Sequence, residues 1–540
     1  MKFIVFTCAL VLTVTEGTYT EFGTVYGEKN GMLRFVSGKA DKNGIAYGSL
    51  EYSVEENGWA VLNIAAGYQK PVISTHTDKT IMMAAGYLEG ALTNKMIYDH
   101  YVNMYNWTFT GRPKEFYDKA KEWFTNQRSW VASQLNSTDS SNDVIWKYMG
   151  LINAQYQGLY DGYNSQADDD KKLDWFAFDI LSGNGDMLDL LSVLNPDKPD
   201  FDTMSKEELV SWVTAHSHCS VLIKMLPGYE NLFGGHSSWF TYASMLRIFK
   251  HYAFNLHDQN AATKVMSFSS YPAYLSSLDD FYLMDSGLMM LQTTNGVFNH
   301  SIYSLVTYNS LLAWQRVRLA NWLATSGKEW AYYVSQYNSG TYNNQYMVVD
   351  LKLIQLNQSL PDNSLWVVEQ LPGLMVSADQ TQVLREGYWA SYNVPFYEQV
   401  FELSGYADMV KKHGPDFSHD LAVRAKIFRR DQGKVTDMES YQMVMQSNEY
   451  KTDIYSEGSP AGAICSRMDL ISGDPQSGGC TDTKVTDYNM AKSMTAFIRN
   501  GPTHQDIEPF QWSKSPFTIP HQGQPDLFNF GFVTTQPNVP

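Results

Sequence analysis

The clearest pattern along the chain is the alternation of apolar and polar positions that is typical of β-strands. Residues 45–66 contain two such runs on either side of Asn57-Gly58, a residue pair that favours a tight hairpin turn. Residues 346–354 and 365–379 alternate in the same way and predict further strands. We therefore expect β-structure in both the early and the late parts of the chain.

Another strand is predicted directly after Cys219. Apolar residues alternate over residues 221–225, and Pro227-Gly228 is a turn signal that precedes a second short strand. The preceding segment, residues 204–217, is predicted to be a helix or a linker. Cys219 therefore stands at a boundary where a strand begins.

Helical spacing of apolar residues covers three other regions. Residues 113–135 begin with Pro113, which is favoured at the first helical position, and carry apolar side chains on one face. Residues 143–193 are predicted to be mainly helical with a loop at "SGNGD", and residues 240–252 again show helical spacing. The run "ADDDKK" at 167–172 is predicted to be a solvated loop. Because helices and strands recur throughout, we predict an α+β fold built in layers.

The N-terminus has the features of a secretory signal peptide over residues 1–17. Lys2 precedes an apolar run over residues 3–14, and Thr15 and Gly17 are small residues at suitable cleavage offsets. No later apolar run reaches the ~20 residues that a membrane-spanning helix needs. Four N-x-S/T sequons add to the expectation of a glycosylated secretory-pathway protein without a transmembrane span. They lie at Asn106, Asn136, Asn299 and Asn357.

The sequence lacks several common motifs of hydrolases and metal sites. No G-x-S-x-G elbow, H-E-x-x-H helix or paired C-x-x-C occurs. His216, His218 and Cys219 crowd into four residues, which makes a poor tetrahedral ligand set. We therefore expect neither a metal site nor a cofactor. The formal net charge of −17 also disfavours a nucleic-acid partner, because an acidic surface repels phosphates.

The four cysteines divide into a pair and two single residues. Cys8 leaves with the signal peptide. Cys465 and Cys480 flank a polar, glycine-rich loop, and a disulfide there would stabilise the fold by about 3 kcal/mol. Cys219 is then the odd cysteine, which in a secreted protein is an intermolecular bridge, a buried spare or a reactive thiol.

Cys219 gains a base of its own if the chain is cut directly before it. The new α-amino group has a pKa of about 7.7–8.0 and sits on the same residue as the thiol, whose ordinary pKa is near 8.5. It can take the thiol proton directly, as in enzymes with an N-terminal nucleophile. A buried cysteine without a catalytic role remains the alternative from the residues alone.

Five longer segments resemble the phospholipase B-like proteins, a family of the N-terminal nucleophile hydrolase superfamily. They are "HCSVLIKMLPGYENLFGGHSSW", "SGTYNNQYMVVDLK", "EGYWASYNVPFYEQVF", "VRAKIFRRDQ" and "PFQWSKSPF". The resemblance runs from about residue 20 to the C-terminus. It implies a four-layer αββα sandwich and self-cleavage of the His218–Cys219 bond. The fragments 18–218 and 219–540 are then expected to stay associated as one folded unit.

The resemblance also implies an active site, and every residue type of its pattern occurs here. The catalytic candidates are Cys219, Asn393, His236 and Arg424, and the substrate-binding candidates are Trp239 and Thr294. Asn393 is expected to help hold an oxyanion, and Arg424 to orient groups or bind an anionic headgroup. His236 is expected to order water, move protons or assist the self-cleavage. Trp239 as packing and Thr294 as a partner of a backbone group remain open alternatives.

The implied function is that of a secreted or lysosomal acyl hydrolase, which removes fatty-acyl groups from glycerophospholipids. One alternative is an amidase or peptidase that acts on N-acyl or peptide amides. Another is a non-catalytic lipid-binding glycoprotein, in which cleavage is only maturation. A homodimer linked by a disulfide between two copies of Cys219 is a further alternative.

Overall fold

The computed structural model of the protein describes residues 17–29, 31–69, 76–137, 143–195, 201, 203–204 and 219–540. Nearly all of the expected signal peptide and of the segment 204–217 lies outside the described residues, and so does His218. Within the described part, the chain is a mixed α+β protein with two large sheets, which confirms the predicted α+β class.

The described residues form nineteen strands and fifteen α-helices. In chain order, strands β1–β19 are Tyr19–Gly27, Leu33–Ser37, Ala46–Ser53, Trp59–Ala66, Ser220–Met225, Leu232–Thr241, Arg247–Phe254, Val265–Ser270, Phe281–Met284, Leu288–Thr294, Asn344–Asp350, Leu365–Leu371, Leu374–Asp379, Tyr388–Ser391, Gly478–Asp487, Ala496–Asn500, Phe510–Gln511, Leu527–Phe528 and Val533–Thr535. Helices α1–α15 are Val54–Asn57, Asp78–Leu92, Asn94–Phe109, Lys114–Leu135, Val144–Gln166, Trp175–Ser182, Asn184–Leu194, Ala313–Leu323, Gly327–Ser335, Thr381–Arg385, Glu398–Leu403, Tyr406–His413, Val423–Asp431, Met438–Met445 and Tyr488–Lys492.

Eleven strands form the larger sheet, in the order β13-β12-β11-β10-β9-β8-β7-β4-β3-β1-β2. Six strands form the smaller sheet, in the order β14-β5-β6-β15-β16-β19, and β17 pairs with β18 separately. Neighbouring strands are antiparallel except β4 and β7, which pair in parallel over eight residue pairs, from Trp59 with Arg247 to Ala66 with Phe254. This parallel pair joins the part of the chain before Cys219 to the part after it.

Three apolar clusters bury the faces of the two sheets. In the first, helices α2–α9 cover one face of the larger sheet, where Ile248 of β7 packs among them. The second cluster contains side chains of both sheets, such as Met289 of β10 and Val221 of β5. In the third, Leu222 of β5 packs with Phe428 of α13. Strand β5 is therefore buried on both faces, which fixes the direction in which the chain leaves Cys219.

Most of the predicted elements are confirmed. Strands β3 and β4 are the antiparallel pair expected over residues 45–66, joined by the one-turn helix α1 and by Gly58 with a φ of 87°. Helices α4 and α5–α7 cover the two long regions of helical spacing, and strands β11–β13 cover the two late alternating runs. The acidic run at 167–172 is a largely exposed loop with a short 3₁₀ turn.

The helix predicted over residues 240–252 is wrong. Strand β6 ends at Thr241, a short 3₁₀ turn follows, and β7 begins at Arg247. The apolar residues of this segment are spaced as in a helix with one face in water, but its polar residues do not face water. Arg247, Lys250 and His251 are all fully buried, since β7 lies between β4 and β8 in the middle of the larger sheet.

The close crossing of α2 and α5 yields a stability prediction. A Cβ added at Gly158 would lie 2.0 Å from the backbone oxygen of Met83, whereas one added at Gly150, on the same helix, would lie 3.6 Å from its nearest neighbour. We expect Gly158→Ala to lower the free energy of unfolding by about 1–3 kcal/mol through overpacking. Gly150→Ala should raise it by about 0.5–1 kcal/mol through helix propensity. Denaturant unfolding of both variants checks this prediction. Equal effects of the two substitutions on the free energy of unfolding would contradict the close packing of α2 against α5.

Candidate active site

Cys219 occupies a buried, strained position directly before β5. Its side chain is 2% exposed, its φ is +86°, and among the described residues it is the one free cysteine. Burial raises the pKa of its thiol to about 12, while a hydrogen bond from the backbone N–H of Trp239 acts in the opposite direction. The thiol is therefore neutral at ordinary pH here, and a disulfide to a second chain would require the surrounding residues to move.

Arg424, at the start of α13, connects Cys219 to Asn393. One guanidinium nitrogen, Nη1, donates to the backbone oxygen of Cys219 at 2.6 Å and to Ser220 Oγ at 3.1 Å. The other, Nη2, donates to Asn393 Oδ1 at 2.6 Å. The guanidinium carbon lies 4.2 Å from the centre of the Trp239 ring. Four of the six predicted residues thus meet around one arginine side chain.

Asn393 is held on both sides of its amide. Arg424 fixes the oxygen, and Nδ2 donates to the backbone oxygen of Thr294 at 2.5 Å. The residue has a φ of +70°, and its own backbone oxygen accepts from the hydroxyl of Tyr406 at 2.5 Å. The amide is therefore oriented before any ligand arrives.

Thr294 joins this group through its backbone rather than its side chain. Its hydroxyl is buried, and no hydrogen-bond partner for it exists among the described residues. An unsatisfied buried hydroxyl costs about 1–3 kcal/mol. Such an atom is a candidate contact for a bound ligand.

His236 lies on β6, outside the group of residues around Arg424. Its Nε2 is 2.9 Å from the backbone oxygen of Gln292, and its Nδ1 is 3.3 Å from Ser238 Oγ. Burial and the nearby Lys484 charge hold the pKa of His236 well below its ordinary value. The ring is therefore neutral, with its proton on Nε2 facing the carbonyl. It reaches the surroundings of Cys219 through Ser238, which lines the same small cavity as the thiol.

Sequence reasoning missed a buried ionic cluster behind Cys219, formed by Arg247, Asp279, Asp482 and Lys484. Lys484 Nζ lies 2.5 Å from Asp279 and 2.6 Å from Asp482, and Arg247 Nη2 lies 3.0 Å and 2.7 Å from the same two side chains. Burial alone would raise the pKa of Asp279, but the two cations hold it well below its ordinary value. The two positive and two negative charges balance, as buried charges require.

His236, Asp279 and Asp482 offer three ligand atoms within 4.8 Å of one another, as a metal site would need. The ammonium of Lys484, however, already contacts both carboxylates. A cation supplied by the chain itself therefore fills this position. In the sequence, Asp482 and Lys484 resemble the polar positions of a half-exposed strand. The pattern therefore did not indicate that both side chains are buried and paired.

The predicted Cys465–Cys480 disulfide is confirmed, with 5.0 Å between the two Cα atoms. It packs against Trp239. The backbone oxygen of the adjacent residue Ile464 accepts from Ser220 Oγ and from Trp239 Nε1, both at 2.9 Å. The disulfide therefore holds a carbonyl that positions two neighbours of the thiol.

A cavity of about 310 Å³, here called the larger cavity, opens beside this group. Its lining includes Trp239, Asn393 and Arg424, together with Tyr392, Tyr406, Phe417 and Tyr455. Cys219 instead lines a space of about 10 Å³ with Ser238, Asp279 and Tyr342. Trp239 lines both spaces and therefore lies between the thiol and the larger cavity. Asp416 and Glu457 add charge to the otherwise mainly apolar wall of the larger cavity. A thiol, an oriented amide and a mainly apolar cavity in this arrangement are suited to acyl transfer.

Glu369 on β12, also missed from the sequence, supports the segment that carries Asn393. Its buried carboxylate accepts from the backbone N–H groups of Phe396 at 2.8 Å and Tyr397 at 3.0 Å, and from Gln345 Nε2 at 2.7 Å. Burial raises its pKa. The charge of Glu369 is thus satisfied by donors that fix the backbone after Asn393.

The four sequons differ in exposure. Asn136 and Asn357 are exposed, whereas Asn106 and Asn299 are half-buried and donate their Nδ2 to the backbone oxygens of Val102 and Leu403. Among the helices that the structure describes, none is both long and apolar enough to cross a bilayer.

Comparisons with known proteins point to one family. The sequence profile described as Phospholipase B matches residues 46–535. The chain is 47% identical over 500 residues to Phospholipase B-like 1 of Rattus norvegicus. This alignment covers 92% of this chain and 88% of that protein. It is 45% identical over 525 residues to Phospholipase B of Crotalus adamanteus, covering 96% and 93%. Phospholipase B-like protein B of Dictyostelium discoideum is 36% identical over 502 residues, covering 91% and 86%.

The contacts of Glu369 predict a kinetic effect at a distance. Glu369→Gln replaces one acceptor oxygen with a donor that faces a backbone N–H, so Asn393 should lose its fixed orientation. We expect the turnover number on acyl substrates to fall by about tenfold, with KM changed less than about twofold. Glu398→Gln, an exposed substitution on α11, is the matched control and should change neither constant. Unchanged turnover by Glu369→Gln would contradict the positioning role.

Proposed function

The chain belongs to the phospholipase B family, and from this premise we propose that it is an acyl hydrolase that removes fatty-acyl groups from glycerophospholipids. In this proposal Cys219, freed by self-cleavage of the preceding bond, is an N-terminal nucleophile. The observation that carries the proposal is the bridge of Arg424, which joins Cys219 to the oriented amide of Asn393 at the wall of the larger cavity.

The proposed fold is the four-layer αββα sandwich of N-terminal nucleophile hydrolases. The three apolar clusters support this assignment. One lies between helices and the larger sheet, one contains side chains of both sheets, and one lies between the smaller sheet and helices α12–α14. This order of layers is the order that the proposed fold requires.

The backbone strain at Cys219 supports the proposed cleavage between His218 and Cys219. A positive φ is unfavourable for a residue with a side chain. Cutting the preceding bond removes this constraint, because an N-terminal residue has no φ. The fragments 18–218 and 219–540 would then stay associated, since the β4–β7 ladder and the first apolar cluster contain residues of both.

In the proposed reaction, the α-amino group of the freed Cys219 takes the thiol proton, and the thiolate attacks the acyl carbonyl carbon. Asn393 Nδ2 and a backbone N–H hold the resulting oxyanion, a contact worth about 3–4 kcal/mol of barrier in comparable sites. The C–O bond breaks, and the α-ammonium group gives its proton to the leaving alcohol. Water, deprotonated by the same amine, then attacks the thioester, which releases the fatty acid and restores the thiol.

The larger cavity supports an acyl group as ligand. Its walls combine five aromatic rings with small residues such as Ala461 and Gly462, and the carboxylates of Asp416 and Glu457 lie among them. An apolar cavity of about 150 Å³ accommodates benzene, so 310 Å³ leaves room for roughly twice as many carbon atoms. Thr294 is not among the residues that line this cavity, and it supports the site through its backbone oxygen, which accepts from Asn393 Nδ2.

The predicted secretory features fit this proposal. A signal peptide over residues 1–17 would direct the protein to the lysosome or to the exterior. Asn136 and Asn357 are accessible to glycosylation as they stand, whereas Asn106 and Asn299 would first have to give up their hydrogen bonds.

Substitution of Cys219 tests processing and catalysis together. We expect Cys219→Ala to remain a single chain and to lose all turnover, because neither the self-cleavage nor the acyl transfer has a nucleophile. Cys219→Ser should still mature, at a lower rate, because a hydroxyl can replace the thiol. Gel electrophoresis and parallel assays with a phospholipid and an N-acyl amine provide the measurement.

The same assays separate the competing functions. Turnover of the N-acyl amine but not of the phospholipid would identify an amidase. Undiminished lipid binding by Cys219→Ala, with no turnover of any acyl substrate by the wild type, would identify a non-catalytic lipid-binding glycoprotein. A wild-type band of double mass on a non-reducing gel, absent in Cys219→Ala, would reveal the disulfide-linked dimer.

A further inference from the structure

A second cavity of about 170 Å³, here called the smaller cavity, adjoins the larger one. Tyr392 lines both cavities. Helix α13 contributes Arg424 to the larger cavity and Arg429 to the smaller, and β14 lines the smaller cavity shortly before Asn393. The two cavities are thus built on neighbouring parts of the same elements.

Two opposite charges face the smaller cavity without neutralising each other. Glu386 and Arg429 both line it as exposed residues, and within the described part of the chain neither side chain forms an ion pair. The hydrogen bond of Arg429 Nη2 goes to the backbone oxygen of Asp420 at 2.7 Å. Asp420 also lines the cavity, and its carboxylate lies 3.2 Å from His419. Burial holds the pKa of His419 below its ordinary value, so the imidazole does not neutralise Asp420 at neutral pH. The cavity therefore offers one positive group, Arg429, and two negative groups, Glu386 and Asp420.

Aromatic side chains also line the smaller cavity. Tyr388 and Phe396 are half-buried there, whereas Trp389, whose ring centre is 4.7 Å from that of Phe396, is 2% exposed and belongs to the cluster between the two sheets. Aromatic faces attract ammonium groups, quaternary ones included. Glu386 lines the same cavity as Tyr388 and Phe396, so one cation in the cavity can meet the carboxylate and these two rings.

Arg424 is not available to a ligand anion in this structure. Its donors already serve Cys219, Ser220 and Asn393, and its planar face stacks on Trp239. A phosphate close to the candidate active site would therefore need another cation. Arg429 carries the fork of donors that suits a phosphate.

We propose that the smaller cavity binds the zwitterionic headgroup of a glycerophospholipid. The phosphate lies at Arg429, and the ammonium lies between Glu386 and the rings of Tyr388 and Phe396. This inference rests on the proposed function, because it makes the ester at Cys219 and the headgroup parts of one substrate. Arg424 and Arg429 are five residues apart on α13, a rise of about 7.5 Å along the helix axis and a turn of about 140° around it, so they serve different cavities. Tyr392, which lines both cavities, is the point at which one lipid would pass from the ester site to the headgroup site.

Two matched esters test the proposal. One is an octanoyl lysophosphatidylcholine, used below the concentration at which it forms micelles, and the other is monooctanoylglycerol, which lacks the headgroup. We expect Arg429→Gln and Glu386→Gln each to raise KM for the lysophospholipid by about tenfold, because each loses a charged contact. For monooctanoylglycerol, kcat/KM should change less than about twofold. The exposed substitutions Arg34→Gln and Glu398→Gln are charge-matched controls and should leave both substrates unaffected.

The outcomes separate this inference from the proposed function. Equal losses on both esters, or no loss on either, would overturn the headgroup site while leaving the hydrolase intact. No turnover of either ester by the wild-type protein would instead overturn the proposed function.

Soluble probes distinguish a headgroup from a free phosphate. Phosphocholine should inhibit lysophospholipid turnover competitively, and inorganic phosphate should inhibit about tenfold more weakly, because it lacks the group that contacts Glu386 and the rings. Equal inhibition by the two probes would contradict the ammonium half of the site. Loss of this difference in Glu386→Gln would support it.

Discussion

The guanidinium of Arg424 ties together two segments that are far apart in the sequence, the start of β5 and the turn that carries Asn393. Burial lowers its pKa to about 10, so the side chain stays charged at the pH of any cell compartment. A lysine could not replace it, because the contacts require planar donors that point in two directions and a flat face against Trp239. Without this side chain, the buried acceptors around Cys219 would lose their donors, and the distance from thiol to amide would no longer be fixed.

A second set of charged contacts, behind Cys219, joins the two sheets. The ionic cluster joins Arg247 and Asp279, from the larger sheet and its loops, to Asp482 and Lys484 of the smaller sheet. Removing one of four buried charges leaves another without a counter-charge, a loss of about 3–5 kcal/mol in comparable pairs. The cluster therefore holds the two sheets in a fixed relation directly behind the thiol.

Local sequence patterns correctly predicted the elements that are determined by residues close together in the chain. The helix that begins after Pro113, the hairpin at Gly58 and the loop closed by Cys465 and Cys480 depend on neighbouring residues. Strand β7 was not predicted, because its charged residues are buried and their partners are distant in the chain. The ionic cluster and the contacts of Glu369 were not predicted for the same reason. The contact of Arg424 with Cys219 spans more than two hundred residues, so only the family resemblance drew attention to both.

The most direct test of the account is the mass and N-terminal sequence of the large fragment of the purified, active protein. We predict a fragment that begins at Cys219, with a free α-amino group beside the thiol, and that remains bound to the smaller fragment under native conditions. A chain that is intact through position 219 and still hydrolyses acyl substrates would contradict it, because the thiol would then lack the base on which the mechanism depends.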